Sequence, residues 1–92
     1  MYIIKESKKF RKSTRKYLRS GRIERENIES IVRILAIGGK LESKHKDHEL
    51  KGRLQGVREC HMESDLLLLY QMDEENRTLL LINIGSHSEL FK

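Results

Sequence analysis

The apolar positions at the start of the chain predict a short strand followed by an amphipathic helix. Residues 2–5 are typical of a strand, and residues 7–19 place their less polar side chains at helical spacing. Those positions are Phe10, Thr14, Tyr17 and Leu18. Basic side chains fill most of the other positions, so the predicted helix has a cationic face and breaks at Ser20-Gly21.

A second helix is predicted between this break and Gly38-Gly39. Its apolar side chains follow the i, i+3, i+4, i+7 pattern of one helix face at Ile28, Ile31, Val32 and Leu35. Glu24 and Glu26 lie near the positive end of its dipole. Because few residues join the two helices, we expect an antiparallel hairpin that covers an apolar surface with one face.

The second half of the chain supplies that apolar surface. Residues 40–56 are polar and predict a loop with room for a short helical turn, and the runs 57–62, 66–72 and 78–84 predict three strands. Short links make consecutive strands antiparallel neighbours. The sequence therefore predicts an α+β fold: an N-terminal strand, an antiparallel helix hairpin and a three-stranded antiparallel meander. The helices lie on one face of this twisted sheet, and the other face is open.

Length and composition narrow the class of protein. The 92 residues contain no proline, repeat or low-complexity linker, which predicts a single domain over residues 1–92. No apolar run approaches the roughly 20 residues that a membrane span needs, and the first residues lack a secretory pattern, so we expect a cytoplasmic protein without a membrane partner. Cys60 is the only cysteine, so an internal disulfide and a Cys-based zinc site are excluded. One cysteine within a strand is more often a small buried side chain than a nucleophile.

The distribution of charge points to nucleic acid. The formal net charge is +5, but residues 1–22 carry nine basic side chains against one acidic, while residues 59–92 carry seven acidic against two basic. A basic block favours phosphate backbones because each neutralised phosphate releases condensed counterions. The alternatives are a solvated helix face and a surface for an acidic protein. The predicted nucleic-acid-binding residues are Lys8, Lys9, Arg11, Lys12, Arg15, Lys16, Arg19, Lys46, Lys51, Arg53 and Arg58.

Three ionisable side chains converge in the predicted topology. His61 lies near the end of the first meander strand, Asp65 near the start of the second, and His87 directly after the third. Antiparallel pairing places all three at one edge of the sheet. A further histidine, His48, lies in the polar loop close to the basic residues Lys51 and Arg53.

These residue types suit cleavage of RNA by its own 2′-hydroxyl. That reaction needs a base for the hydroxyl, an acid for the departing 5′-oxygen and positive charge beside the transition state. Histidine fits the first two roles near neutral pH, and two histidines in different surroundings can divide them. Arg53, Arg58 or a nearby lysine would stabilise the added negative charge, and Asp65 would orient a histidine or act as a base itself.

No step of this chemistry requires a metal ion, and the sequence predicts neither a metal site nor a cofactor. His45 and His48 are three residues apart, but no cysteine cluster or His-Glu-x-x-His pattern accompanies them. The one dense acidic run, Asp73-Glu74-Glu75, falls at the opposite edge of the predicted sheet and reads as a solvated loop.

Three segments together resemble a known family. Lys46-Asp47-His48-Glu49-Leu50-Lys51-Gly52, Arg58-Glu59-Cys60-His61 through Asp65, and Gly85-Ser86-His87-Ser88-Glu89-Leu90-Phe91 resemble the second half of YafQ-like toxins in the RelE superfamily. The resemblance covers about residues 45–91 in order and spacing, whereas the first half agrees only in its general plan.

The resemblance implies the toxin of a type II toxin–antitoxin pair, a metal-independent endoribonuclease that cuts messenger RNA in the ribosomal A site. By position, His48, His61, Asp65, His87 and Phe91 fall on the family's active-site residues. His48, His61 and Asp65 then provide the general base for the 2′-hydroxyl and contact the phosphate, and His87 is the general acid. Phe91 stacks on a base or packs beside His87. The implied partners are the ribosome with its 16S rRNA, the message, and a cognate antitoxin bound in a hetero-oligomer.

Two departures from the family pattern bear on activity. Leu66 follows Asp65 where some relatives have tryptophan, and Ser64 stands where proline is common. A lost ring weakens base stacking, which contributes roughly 1–3 kcal/mol per base. The alternative function is therefore a weak or inactive relative that binds RNA or the ribosome and mainly engages an antitoxin.

Overall fold

The computed structural model describes residues 1–63 and 65–91 and confirms the α+β class. The strands are β1 (Ile3–Glu6), β2 (His48–Glu49), β3 (Arg58–Glu63), β4 (Leu66–Asp73) and β5 (Thr78–Gly85). The α-helices are α1 (Lys8–Arg19), α2 (Arg25–Ala36) and α3 (His87–Leu90). One sheet in the order β1-β5-β4-β3-β2 contains all five strands.

The predicted helix hairpin forms with well-defined ends. The side chain of Ser7 caps α1 by accepting a hydrogen bond from the backbone N–H of Phe10 at 2.9 Å. After α1 the chain turns through Gly21 at φ +76°, a conformation that glycine adopts without steric cost. β1 pairs parallel to β5. Parallel strands need a crossover connection, and the helix hairpin is part of the one between these two strands.

The core lies between this hairpin and one face of the sheet. The side chains of β4 alternate as a strand requires, with Leu66, Leu68 and Tyr70 on the face that α1 and α2 cover. The buried residues of this core include Phe10, Tyr17, Ile28, Ile31, Val32, Leu35, Cys60, Met62, Leu79, Leu81 and Ile84. The apolar helix positions read from the sequence are therefore those that pack on the sheet.

Two short elements, β2 and α3, were not predicted. The polar loop 40–56 contains β2, which pairs antiparallel with β3, together with one-turn 3₁₀ helices at Ser43–His45 and Gly52–Leu54. After β5 the chain forms α3, a segment for which the sequence predicted no element. The expectation of an open face is partly wrong, since Leu67 is 0% and Leu69 7% exposed on that side.

Within the described residues, no helix has the length and apolar character needed to cross a membrane.

Candidate active site

Three of the predicted site residues lie together at one end of the sheet. β3 ends and β4 begins at the same edge, where β5 also ends, so His61, Asp65 and His87 are neighbours. The His87 Nδ1 atom lies 4.0 Å from Asp65 Oδ1, and the His61 and His87 ring centroids are 6.0 Å apart in an edge-on arrangement. The His87 and Asp65 side chains are more than half exposed, so a substrate can reach them.

The short helix α3 fixes the position of His87. The Ser86 side chain accepts from the backbone N–H of Glu89, and the Glu89 carboxylate accepts from the backbone N–H of Ser86, a complete capping box. The Phe91 ring lies 5.8 Å from the His87 ring and is 38% exposed. Of the two roles predicted for Phe91, packing beside His87 is the one this geometry shows.

Gly85 allows α3 to approach the sheet closely. A Cβ atom at this position would lie 3.3 Å from both Leu90 Cδ2 and Glu89 Oε1, closer than most side-chain contacts. We expect Gly85→Ala to displace α3, to lower the free energy of unfolding by about 1 kcal/mol, and to weaken any activity that needs His87. Urea denaturation and the His61–His87 ring contact in a variant structure test this. An unchanged position of α3 would contradict it.

His48 lies on the same face of the sheet as His61. In the strand register His48 is opposite Glu59, two residues before His61 on β3, and alternate residues of a strand share a face. The His48 Nε2 atom is 3.4 Å from Glu59 Oε1, and its Nδ1 atom is 2.7 Å from the backbone carbonyl of Lys46. β2 therefore places His48 on the sheet face that carries His61, which the loop predicted for this segment did not indicate.

A cleft of about 360 Å³ adjoins His61. The His45 Nδ1 atom lies 2.6 Å from the backbone carbonyl of His61 and ties the 3₁₀ turn to β3. The residues that line the cleft are Lys44, His45, Lys46, His61, Met62 and Glu63. Lys46, one of the predicted nucleic-acid-binding residues, is thus placed next to the histidines.

Arg58 lies on the helix-covered face and is not part of the histidine cluster. It is opposite Tyr70 in the register, and its guanidinium contacts the Tyr70 hydroxyl at 3.3 Å and Asp47 at 3.4 Å. Burial works against its charge, but these hydrogen bonds prevail and raise the pKa of Arg58. Burial and the bond to Asp47 also raise the pKa of Tyr70. The three side chains anchor the loop immediately before His48.

The basic side chains of α1 are exposed, and one flank of the helix borders α3. The ammonium of Lys16 lies 3.0 Å from Glu89 Oε2, and the hydroxyl of Tyr17 donates to the same carboxylate. Ser13 donates to the Asn83 side chain on β5 at 2.9 Å. The predicted basic residues Lys51 and Arg53 are exposed in the loop after β2.

Leu66 and Cys60, two residues that the sequence singled out, are both buried. Leu66 is fully buried in the core under the helices, so it presents no surface on which a base could stack. Ser64 lies outside the described residues. Cys60 is also fully buried, and burial raises the pKa of its thiol to about 12, which leaves it unreactive at neutral pH.

Comparison with known proteins identifies the family. A model of the family described as a bacterial toxin of type II toxin–antitoxin system, YafQ, matches residues 2–92. The chain is a member of the YafQ toxin family. The mRNA interferase toxin YafQ of Escherichia coli K12 is 36% identical to it over 47 residues, which are 51% of this chain and 49% of that protein. The chain thus spans about half the length of the curated relatives it matches.

Solved structures of toxins match over nearly the whole chain. A metal-bound toxin from Helicobacter pylori is 44% identical and covers 99% of this chain and 100% of its own, with a TM-score of 0.93. The Escherichia coli DinJ-YafQ complex contains a chain that is 25% identical over 100% of both chains, with a TM-score of 0.86. These matches confirm the RelE-like fold and the resemblance read from the second half of the sequence.

Sequence reasoning missed two features of this YafQ-family site. Glu59, beside His48, was passed over because nothing marks a single glutamate in a strand as buried. Helix α3 was missed although its Ser86-x-x-Glu89 spacing is a readable capping signal. Within residues 1–63 and 65–91, no group of three or more His, Cys, Asp or Glu side chains is arranged to hold a metal ion.

Proposed function

We propose that this chain is the toxin of a type II toxin–antitoxin pair and a ribosome-dependent endoribonuclease that cuts messenger RNA in the A site. The observation that carries the proposal is the group of His61, Asp65 and His87 at one exposed edge of the sheet. The basic helix α1 contacts α3, the helix that carries His87, through Lys16 and Glu89, and its exposed cations suit a phosphate backbone.

The proposed reaction is a transfer of the phosphate from the 5′-oxygen to the neighbouring 2′-oxygen. A base among His48, His61 and Asp65 takes the 2′-hydroxyl proton while the 2′-oxygen bonds to phosphorus. The bond from phosphorus to the 5′-oxygen breaks, and that oxygen takes a proton from His87. The products are a 2′,3′-cyclic phosphate and a free 5′-hydroxyl, so all protons and electron pairs are accounted for without a metal ion.

Positive charge near the phosphate completes the proposed site. Lys46 is one of the residues that line the cleft next to His61, and its ammonium would stabilise the additional negative charge of the transition state. The proposed partners are the ribosome, its 16S rRNA, the message and a cognate antitoxin. The antitoxin partner is supported by the Escherichia coli relative described in complex with DinJ.

A message with one 2′-deoxynucleotide at the cleavage position tests the reaction. We expect the wild-type protein to cut the ribosome-bound all-ribose message, to leave a 2′,3′-cyclic phosphate, and to leave the deoxy message intact, because the nucleophile is missing. Product ends are identified by mass spectrometry. Cleavage of the deoxy message would contradict 2′-hydroxyl attack, and an intact all-ribose message would favour the inactive RNA-binding relative.

The same assay tests metal independence, which matters because a Helicobacter pylori relative is described as metal-bound. A chelator of transition metals that spares the Mg²⁺ of the ribosome should leave the rate unchanged. Added Cu²⁺ should lower the rate, because copper binds imidazole nitrogens in place of protons and so removes them from acid–base chemistry. Loss of cleavage in the chelator would contradict the metal-free mechanism.

A further inference from the structure

Two side-chain contacts align helix α1 with the segment that carries His87. The Ser13 hydroxyl donates to the Asn83 side chain on β5 at 2.9 Å. One helical turn later, the Tyr17 hydroxyl donates to the carboxylate of Glu89 in α3. Tyr17 is 9% exposed and packs in the core, so the surrounding side chains hold its ring in place. α1 thus supplies a fixed reference point for α3.

The Glu89 carboxylate joins this reference point to the start of α3. Its Oε1 atom accepts from the Tyr17 hydroxyl and also, at 3.0 Å, from the backbone N–H of Ser86. Its Oε2 atom lies 3.0 Å from the ammonium of Lys16, but the Lys16 side chain is 65% exposed, and exposed ion pairs contribute little to stability. The hydroxyl of the buried Tyr17 is therefore a more rigid partner for this carboxylate than the lysine.

Helix α3 depends on contacts with other elements because it is very short. It spans His87–Leu90, and isolated helices of fewer than about 12–15 residues are marginal in water. His87 is its first residue and follows Ser86, whose backbone N–H donates to the Glu89 carboxylate. The position of that carboxylate therefore sets the orientation of the backbone from which the imidazole extends.

We propose that Tyr17 is a positioning residue for the reaction: through Glu89 it holds the imidazole of His87 where the imidazole protonates the departing 5′-oxygen. This inference rests on the proposed function. Tyr17 itself is buried in the core, so it acts only through α3. A misplacement of about 1 Å can cost roughly 100-fold in rate. A loosened α3 therefore slows the chemical step without changing how tightly the message binds.

The first test compares Tyr17→Phe with Tyr2→Phe. Tyr2 is 8% exposed and its hydroxyl donates to Glu74 at 2.6 Å, so each substitution removes a hydroxyl that a core tyrosine donates to a glutamate. Tyr2 precedes β1, which pairs with β5 from the first residue of β5 onwards, so Tyr2 lies at the end of the sheet away from His87. The Tyr2 hydroxyl also contacts Arg77 at 3.3 Å, so Tyr2→Phe should lose at least as much thermal stability as Tyr17→Phe.

The two variants should differ in the rate of cleavage. We expect Tyr17→Phe to lower kcat by roughly 5- to 50-fold, part of the roughly 100- to 10,000-fold that a placed acid contributes. KM should stay within about twofold, because a contact that acts only on the chemical step leaves binding unchanged. Tyr2→Phe should keep the wild-type kcat. Wild-type kcat in Tyr17→Phe, an equal fall in Tyr2→Phe, or a raised KM with unchanged kcat would each overturn the proposal.

A double-mutant cycle tests whether Tyr17 acts through Glu89. In a Glu89→Ala background the tyrosine hydroxyl has lost its acceptor, so Tyr17→Phe should cost nothing further and the two losses are not additive. An equal fold-loss in both backgrounds would overturn the proposal. Phenylalanine keeps the buried ring and Glu89 is an exposed residue, so all of these variants should fold as the wild type does.

Nuclear magnetic resonance of the free protein tests the anchoring of α3 independently of any cleavage. Backbone order parameters report motion on the picosecond to nanosecond timescale. We expect the order parameters of α3 to fall in Tyr17→Phe and to match the wild type in Tyr2→Phe. Unchanged order parameters in Tyr17→Phe would overturn the positioning role. If the wild type cuts no message but α3 loosens as expected, the proposed function fails while the anchoring of His87 by Tyr17 stands.

Discussion

His87→Ala should abolish message cleavage while ribosome binding persists. Without the imidazole, the departing 5′-oxygen loses the acid proposed for it, and a placed acid contributes roughly 100- to 10,000-fold. Binding should be retained because the exposed basic side chains of α1 are untouched. Single-turnover cleavage on programmed ribosomes gives the rate, and sedimentation with ribosomes gives the affinity.

Ser88→Ala is the matched control for this substitution. Ser88 is the next exposed residue of α3, and its hydroxyl lies 3.2 Å from the hydroxyl of Ser86. The control should cut at the wild-type rate, which would show that truncating a side chain on α3 does not disturb the site. Residual cleavage within tenfold of wild type in His87→Ala would contradict the assignment of His87 as the acid. Parallel loss of ribosome binding would instead place His87 in the binding surface.

Most of the fold was predictable because its signals are local. Helix spacing from Phe10 to Leu35 and the apolar runs of β4 and β5 each occupy one stretch of chain, and short links dictate antiparallel neighbours. The convergence of His61, Asp65 and His87 followed from this topology alone. The resemblance to the RelE superfamily then predicted the same fold and the same three residues.

The features that the sequence did not reveal depend on distant partners. β2 is only two residues long and is polar, so no periodicity announces it, and it exists because its backbone pairs with β3. The burial of Glu59 arises because neighbouring elements cover its strand, which no single-residue pattern reports. Arg58 was grouped with the histidines by sequence distance, whereas the alternation of β3 sends it to the opposite face.

Leu66 illustrates how a family departure is reinterpreted once the fold is known. From the sequence, the missing ring implied weaker stacking on a base. In the structure Leu66 is fully buried with Leu68 and Tyr70 in the core under the helices, so its contribution is to packing. The exposed ring next to the proposed acid is that of Phe91, at 5.8 Å from His87.

Removing charge from the α3-facing flank of α1 should weaken ribosome binding more than removing it from the other flank. Lys9, Lys12 and Lys16 follow i, i+3, i+7 spacing along one side of the helix. Lys16 on this side contacts Glu89 of α3, so the flank borders the candidate active site. The triple change to glutamine should lower affinity by roughly 10- to 100-fold at about 0.15 M salt, and each lost phosphate contact reduces the salt slope by about 0.7–0.9.

The opposite flank offers a control with the same loss of charge. Lys8, Arg11 and Arg15 also follow i, i+3, i+7 spacing, but Arg11 and Arg15 line a groove together with Arg25 of α2, on the side away from α3. Glutamine at these three positions lowers the net charge equally, so a general attraction between a basic protein and RNA predicts the same effect from both triples. A local interface next to His87 predicts a large effect from the first triple and a small one from the second. Filter binding across a salt series distinguishes the two, and equal slopes for both triples would show that the message is not guided to the histidines by this flank of α1.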